Sequence, residues 1–152
     1  MLAHELHGNG PPLVFLHGLT FTRRTWLPVV ERLEGYLRVV VDLPGHGASA
    51  GSPTTQDGLV CRLRELIHHL ELERPVLVGH SFGAVPATLY AARHDAGAIV
   101  NVDQSLGVRD LADGLGRLAR KFDEDFGATF AEFRAALGIE RIPEPHRTLV
   151  EH

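Results

Sequence analysis

Cysteine is almost absent from the sequence, with Cys61 as its single example. One cysteine cannot form an intramolecular disulfide, which favours a reducing compartment over a secreted location. The stretch 1–16 has no basic segment and only a short apolar run, unlike a secretory signal peptide. We therefore expect a cytoplasmic protein.

Long apolar runs and basic blocks are also lacking. No stretch approaches the roughly 20 apolar residues that span a bilayer, so membrane insertion is not expected. The 15 Lys and Arg residues are outnumbered by 19 Asp and Glu, and without a concentrated positive field we do not expect nucleic-acid binding. There is no glycine-rich phosphate loop, and the ten histidines show no metal-ligand spacing. We therefore expect neither cofactor nor metal.

What the sequence does contain is an alternation of short strands and amphipathic helices. Its 152 residues fit one domain. A short strand is predicted at 2–7, and nearly continuous apolar runs, typical of strands buried on both faces, lie at 13–17, 37–42, 75–80 and 96–102. Striped helical segments separate these runs. The alternation predicts an α/β fold, with a parallel sheet, helices on both faces and right-handed crossovers.

The pattern changes after residue 103, where no further buried strand follows. Two apolar stripes with the same spacing predict two helices, formed by Leu111, Leu115, Leu118 and Phe122 and by Phe126, Phe130, Phe133 and Leu137. We therefore divide the single domain into an α/β core at 1–103 and a helical segment at 104–152. The second stripe either packs as ordinary core or lines an apolar acyl pocket.

The stretch Gly79–Gly83 (GHSFG) joins a predicted buried strand to an alanine-rich helix. Glycines on both sides let strand and helix approach closely while Ser81 adopts a strained backbone conformation. The helix N-terminus beneath the serine presents unpaired N–H groups to developing negative charge. A plain serine N-cap is the alternative, but a cap needs neither glycine. Ser81 is therefore the candidate nucleophile.

A second candidate element follows the strand at 13–17. Gly18 permits a sharp turn that directs the N–H of Leu19 into the site, where it would form a two-donor oxyanion hole with the N–H of Phe82. Taken alone, the pair His17 and Gly18 fits a simple strand-ending turn equally well. We expect His17 and His80 to fix loops by hydrogen bonds rather than to accept the serine proton.

Three stretches in this order resemble the α/β-hydrolase superfamily, in particular its single-domain esterase and hydrolase branch. They are Leu16–Leu19 (LHGL), Asp42–Ser49 (DLPGHGAS) and Gly79–Gly83. The resemblance implies that Asp42–Ser49 is a structural loop at the carboxyl edge of the sheet, with His46 as a base only a minor alternative.

For the chemistry, the resemblance implies Ser81 as the nucleophile and the Leu19 and Phe82 amides as oxyanion donors. The substrate would be a small ester or related acyl compound. A serine at position 81 argues against relatives such as haloalkane dehalogenases and epoxide hydrolases, which place an aspartate there.

Other parts of the family pattern have no counterpart in this sequence. Val102 would end the sixth of eight strands, so the two closing strands and the loop that carries the general base are missing, and the helical segment falls where the family inserts a cap. Asp103 lies where some relatives place the triad acid; alternatively, it caps the following segment or binds backbone amides. His146 and His152 are the candidate internal bases, and the sequence places neither of them near Ser81.

A sheet that is incomplete at its C-terminal edge would expose the strand at 96–102. We expect the C-terminal helices, a second copy of the chain or a separate polypeptide to cover it, and we favour a homo-oligomer.

Two functions remain open. One is a serine hydrolase whose base is missing from the chain or supplied unusually, with acyl transfer and thioester cleavage as close variants. The other is a catalytically silent hydrolase fold that binds apolar small molecules or its own kind.

Overall fold

The computed structural model describes residues 1–49, 51, 55–104, 116–117, 120–121 and 123–136. Contacts divide the chain into two compact units, Met1–Gln104 and Ser105–Glu151. This division falls next to the predicted boundary at residue 103. That both parts belong to a single domain stays a prediction.

The first unit contains one five-stranded sheet. Its strands are β1 (His4–His7), β2 (Pro12–Leu16), β3 (Leu37–Val41), β4 (Val76–His80) and β5 (Ala98–Val102). Their spatial order is β1-β3-β2-β4-β5. Strands β3, β2, β4 and β5 run parallel, as predicted.

The exception is β1, which pairs antiparallel with β3. The connection from β1 to β2 spans only residues 8–11. So short a connection cannot carry the chain back to start a parallel strand, because such a crossover needs about a dozen residues or more. The sheet is therefore mixed, with its antiparallel strand at one edge.

Helices cover both faces of the sheet, which confirms the predicted α/β class. They are α1 (Leu27–Val30), preceded by a 3-10 turn at Arg23–Trp26, α2 (Gln56–His69) and α3 (Ala84–Ala91). The N-terminus of α2 is capped by Thr55, whose hydroxyl accepts a hydrogen bond of 3.1 Å from the N–H of Gly58. This bond satisfies one of the free N–H groups at the start of the helix.

Alternate residues of the central strands pack into two separate apolar clusters. On β2, Val14 and Leu16 join the cluster that contains Leu66 of α2. Phe15 points to the other face and packs against Trp26, with ring centroids 5.2 Å apart. Burial of each large apolar side chain contributes about 1.5–3 kcal/mol. The two-residue period of strands therefore places a core on each face of β2.

In contrast, β5 is exposed at every position. Val100 retains 45% of its accessible surface, Val102 retains 38% and Ile99 retains 38%. The strand makes its pairing with β4 but has no second neighbour in the sheet. The predicted uncovered edge is therefore a feature of the described structure.

The second unit contains a helix, α4, at Phe126–Ala136. Two members of the predicted aromatic stripe, Phe126 and Phe130, stack with ring centroids 5.7 Å apart. Leu111, Leu115, Leu118, Phe122 and Leu137 lie outside the described residues, as does the side chain of Phe133. None of the described helices combines the length and the apolar character needed to cross a membrane.

Candidate active site

Ser81 lies on the turn that joins β4 to α3. Its φ angle is +46°, a left-handed conformation that non-glycine residues adopt rarely. A 3-10 turn at Ser81–Gly83 follows, and α3 begins at Ala84. Backbone strain of this kind costs on the order of 1–3 kcal/mol and persists only where the surrounding packing enforces it.

The glycines on both sides of the turn provide that packing. A Cβ atom on Gly79 would lie 2.5 Å from the backbone nitrogen of Ala84, and one on Gly83 would lie 2.6 Å from the carbonyl oxygen of His17. Both neighbours are backbone atoms, so neither can move aside cheaply. Ser81 is not an N-cap residue. The N-cap of the 3-10 turn is His80 and that of α3 is Gly83, and no side chain makes a cap hydrogen bond at either position.

His17 is fully buried between two loops. Its Nδ1 lies 2.7 Å from the carbonyl oxygen of Gly18, and its Nε2 accepts a 3.0 Å hydrogen bond from the N–H of Leu43. The ring therefore carries its proton on Nδ1. Burial lowers the pKa of His17 to about 4, so the imidazole is neutral at pH 7. Both ring nitrogens are occupied, and neither is available to Ser81.

The next residues form a tight turn beside His80. The carbonyl oxygen of Gly18 also accepts a 3.1 Å hydrogen bond from the N–H of Phe21. A Cβ atom on Gly18 would lie 3.0 Å from Nδ1 of His80. The N–H of Leu19 donates to no group among the described residues, and its side chain is 38% exposed.

His80 precedes Ser81 but is packed among aromatic rings. Its ring centroid lies 5.6 Å from that of Phe21 and 6.5 Å from that of Trp26. Burial lowers the pKa of His80, and the negative charge of Asp103 opposes this shift. Nδ1 of His80 is buried and has no hydrogen-bond partner in the described part of the chain.

Asp103 directly follows β5 and is exposed, with a φ angle of +59°. Residues 80 and 102 are register partners on the neighbouring strands β4 and β5. Asn101, rather than Asp103, binds the following backbone: its side chain accepts from the N–H of Gln104 at 3.1 Å and donates to the carbonyl oxygen of Gln104 at 2.9 Å. The sequence analysis did not single out Asn101, although an asparagine near the end of a strand commonly forms the turn that follows.

The loop from Asp42 to Ser49 is built around a buried carboxylate. Asp42 accepts hydrogen bonds from the backbone N–H groups of Arg23 (2.7 Å) and Ala48 (2.9 Å), and its carboxylate also pairs with the Arg23 guanidinium. Burial by itself lowers the pKa of Arg23, but Glu5 and Asp42 outweigh burial and raise it. The structural role predicted for this loop fits these contacts.

His46, in the same loop, faces the turn after β2. Its Nε2 lies within hydrogen-bond distance of the carbonyl oxygen of Leu19, and its Nδ1 lies 3.0 Å from that of Pro44. Among the described residues, no histidine ring forms a hydrogen bond with Ser81. His146 and His152 lie outside those residues.

Within the same part of the chain, no group of three or more His, Cys, Asp or Glu side chains could hold a metal ion. Cys61 is exposed on α2 and unpaired. The polar groups of the turns after β2, β4 and β5 are therefore backbone amides, two imidazoles whose pKa values burial lowers, and one exposed carboxylate. The backbone amides suit the stabilisation of an oxyanion, whereas neither of the imidazoles is hydrogen-bonded to Ser81 as a base.

Comparison with known proteins agrees with this geometry. The family described as "Alpha/beta hydrolase family" matches residues 13–151. The chain belongs to the α/β-hydrolase family, which confirms the resemblance based on its three motifs.

Individual relatives differ in their named activities. The chain is 35% identical over 137 residues to a 2-succinyl-6-hydroxy-2,4-cyclohexadiene-1-carboxylate synthase of Salmonella paratyphi C, covering 80% of this chain and 54% of that protein. E-2-(Acetamidomethylene)succinate hydrolase superposes with a TM-score of 0.77 at 27% identity, covering 99% of this chain and 59% of that one. An esterase from Exiguobacterium antarcticum shares the fold, with a TM-score of 0.80, 24% identity and coverage of 97% and 61%. The chain spans about half the length of the curated relatives it matches.

Proposed function

We propose that the chain provides the nucleophile and the oxyanion hole of a serine hydrolase that acts on an ester or related acyl compound. The observation that carries this proposal is the left-handed backbone of Ser81 (φ +46°) on the turn between β4 and α3. A serine kept in that conformation by two glycines needs an explanation other than capping, and presentation of its hydroxyl to a substrate provides one.

In the proposed reaction, the Ser81 hydroxyl attacks the acyl carbon while a base takes its proton. The carbonyl oxygen becomes an oxyanion and accepts hydrogen bonds from the N–H groups of Leu19 and Phe82. Collapse of this intermediate breaks the bond to the leaving group, which receives the proton from the base. Water then releases the acyl group from Ser81 by the same steps.

The base in this scheme is a histidine beyond the described residues or one supplied by another chain. His17 is unsuited because both of its ring nitrogens are bonded and burial lowers its pKa to about 4. Asp103 follows β5, the neighbour of β4, and we assign it the role of orienting that histidine. A carboxylate in this role fixes the tautomer of the base and stabilises the imidazolium.

A second function is supported by the lack of a hydrogen-bonded base. Within the described residues Ser81 has no histidine partner, which is what a catalytically silent binding protein would also present. Such a protein would hold a small apolar molecule beside the serine turn without chemistry. The two functions differ in whether Ser81 is activated.

Labelling with a fluorophosphonate probe separates these functions. The hydrolase proposal predicts one adduct on wild-type protein, located at Ser81 by peptide mass spectrometry and absent from Ser81→Ala. Ser49 serves as an internal control because it is 4% exposed and its hydroxyl already donates to the carbonyl oxygen of Asp42 at 2.6 Å. A wild-type chain that stays unlabelled, while an unrelated serine hydrolase reacts in the same tube, would favour the silent function.

The substrate class is open because the relatives carry different names. A synthase named for a succinyl-substituted carboxylate and a hydrolase named for an acetamidomethylene-substituted succinate are both similar to the chain. We therefore propose testing acyl compounds in matched pairs, one bearing a free carboxylate and the other its amide. Preferential turnover of the carboxylate members would assign the chain to acidic substrates, and equal turnover would assign it to general ester hydrolysis.

We also propose that two copies of the chain associate through β5. The support is that all five residues of this strand are exposed and none is charged. An edge of this kind accepts a further strand readily, because its N–H and C=O groups are unpaired on one side. A complementary polypeptide is the other candidate for the same edge.

A further inference from the structure

The peptide group between Gly18 and Leu19 links the proposed oxyanion hole to the buried loops behind it. Its N–H belongs to Leu19 and its carbonyl oxygen to Gly18. A trans peptide is planar, so these two groups point in opposite directions. Whatever fixes the carbonyl oxygen of Gly18 therefore also fixes the direction of the Leu19 N–H.

Two donors hold that carbonyl oxygen. His17 Nδ1 lies 2.7 Å away, and the N–H of Phe21 donates at 3.1 Å. Because the Leu43 N–H occupies Nε2 of His17 at 3.0 Å, the proton of the neutral ring must lie on Nδ1. Full burial of His17 leaves the ring no room to turn away. The Gly18 carbonyl is thus bound from the side opposite to the Leu19 N–H.

We propose that His17 is a positioning residue, which holds the Gly18–Leu19 peptide so that the Leu19 N–H faces the substrate at Ser81. This inference rests on the proposed oxyanion role of Leu19. It assigns to His17 a function distinct from proton transfer, exerted through one backbone amide.

His46 reinforces the arrangement at the next peptide group. Its Nε2 lies within hydrogen-bond distance of the carbonyl oxygen of Leu19. The ring of His46 also packs edge-on against His17, with centroids 5.0 Å apart. Ring nitrogens of two histidines therefore lie against two consecutive carbonyl groups after β2.

Nuclear magnetic resonance tests the inference on the wild-type chain first. The ¹⁵N shifts of His17 should show a neutral ring protonated on Nδ1 at pH 7. A ring protonated on Nε2, or on both nitrogens, would overturn the proposal because it conflicts with the hydrogen bond from Leu43. This measurement needs no substitution and no activity.

Substitutions then test the positioning itself through the N–H residual dipolar coupling of Leu19. His17→Leu removes the donor to the Gly18 carbonyl, and we expect the Leu19 coupling to change while that of Phe82 stays the same. His17→Asn keeps a donor near the position of Nδ1 and should restore the wild-type coupling. His69→Leu, on the exposed side of α2, is the matched control. An unchanged Leu19 coupling in His17→Leu would overturn the proposal.

If His17→Leu does not fold, His46→Ala and His46→Gln provide the same comparison at the second histidine. His46 holds the peptide group between Leu19 and Thr20, so the reporter here is the N–H coupling of Thr20. Gln retains a donor near Nε2, so the Thr20 coupling should change in the Ala variant and recover in the Gln variant. Equal couplings in both variants would count against the positioning scheme.

Fluorophosphonate labelling distinguishes failure of this inference from failure of the proposed function. Where the wild-type chain is labelled, His17→Leu should slow labelling about 100- to 1,000-fold, the usual effect of losing one oxyanion donor. His17→Asn should recover most of that rate. Labelling at the wild-type rate in a folded His17→Leu would overturn the positioning role and leave the serine hydrolase intact. An unlabelled wild type would refute the hydrolase, while the dipolar couplings would still decide how the peptide is held.

Discussion

The carboxyl edge of the sheet differs between the part formed by β2, β3 and β4 and the part formed by β5. In the first part, His17 and Asp42 are fully buried and fully hydrogen-bonded. In the second part, Asp103 and every residue of β5 are exposed. The conformation of the first part is therefore fixed by its own hydrogen bonds. In the second part, the Asp103 carboxylate and the edge of β5 remain available for a partner.

The largest effect should come from removing the carboxylate that organises the buried part. Asp42→Ala leaves two backbone N–H groups and the Arg23 guanidinium without their shared acceptor. We expect a loss of roughly 3–5 kcal/mol in the free energy of unfolding, measured by urea denaturation. The matched substitution Asp103→Ala, in the exposed part, should cost less than about 0.5 kcal/mol. Similar losses for the two variants would contradict the contrast.

Acid should weaken the buried part next. The pKa of His17 is lowered from 6.5 to about 4 in the folded protein, so between these pH values the unfolded chain binds a proton that the folded chain does not. Stability contributed by neutral His17 is therefore complete above pH 6.5 and is lost as the pH falls to about 4, in total about 3 kcal/mol. Unfolding free energies measured across this range should show the slope in wild type and a shallower slope in His17→Asn. If the pH dependence of the unfolding free energy were the same in His17→Asn, a group other than His17 would be its cause.

A charge on the exposed strand should change association with little effect on stability. Val100→Lys adds a cation to the uncharged β5, and we expect it to reduce self-association measured by sedimentation. Because Val100 is already 45% exposed, the unfolding free energy should change by less than about 0.5 kcal/mol. Leu6→Lys is the control on the opposite edge strand, where Leu6 is 50% exposed. Dissociation by Leu6→Lys, but not by Val100→Lys, would assign the interface to β1.

The smallest effect should appear at the border between the two parts. The negative charge of Asp103 raises the pKa of His80 against the effect of burial. Asp103→Asn should therefore lower the pKa of His80, which titration followed by nuclear magnetic resonance can measure. An unchanged pKa would show that the carboxylate lies too far from the ring to influence it.

The strand and helix alternation could be predicted from sequence because it depends on local patterns. Runs such as 39–41 are apolar at successive positions, which fits a strand buried on both faces. The direction of β1 depends instead on the length of the connection at residues 8–11. That constraint becomes decisive only when the pairing partner, β3, is known.

At the candidate site, the Ser81 turn was predictable because its glycines and its serine are adjacent in the sequence. The contacts around Asp42 were not, since its partner Arg23 comes from another part of the chain and also binds Glu5 of β1. The same reason applies to the contact between His46 and the Leu19 carbonyl, which joins residues separated by 27 positions. Local motifs therefore locate the candidate nucleophile, and long-range hydrogen bonds determine how the neighbouring turns are held.

The close approach of Gly83 to the main chain of Leu16 and His17 has a consequence for the evolution of the protein. The distance between the serine turn and the turn after β2 is fixed by direct contact between main-chain atoms. The exposed Leu19 side chain takes no part in that spacing, whereas Phe82 packs against the core. Under the proposed function, exchange of the Leu19 side chain could change the substrate preference while the spacing of the two turns is inherited unchanged.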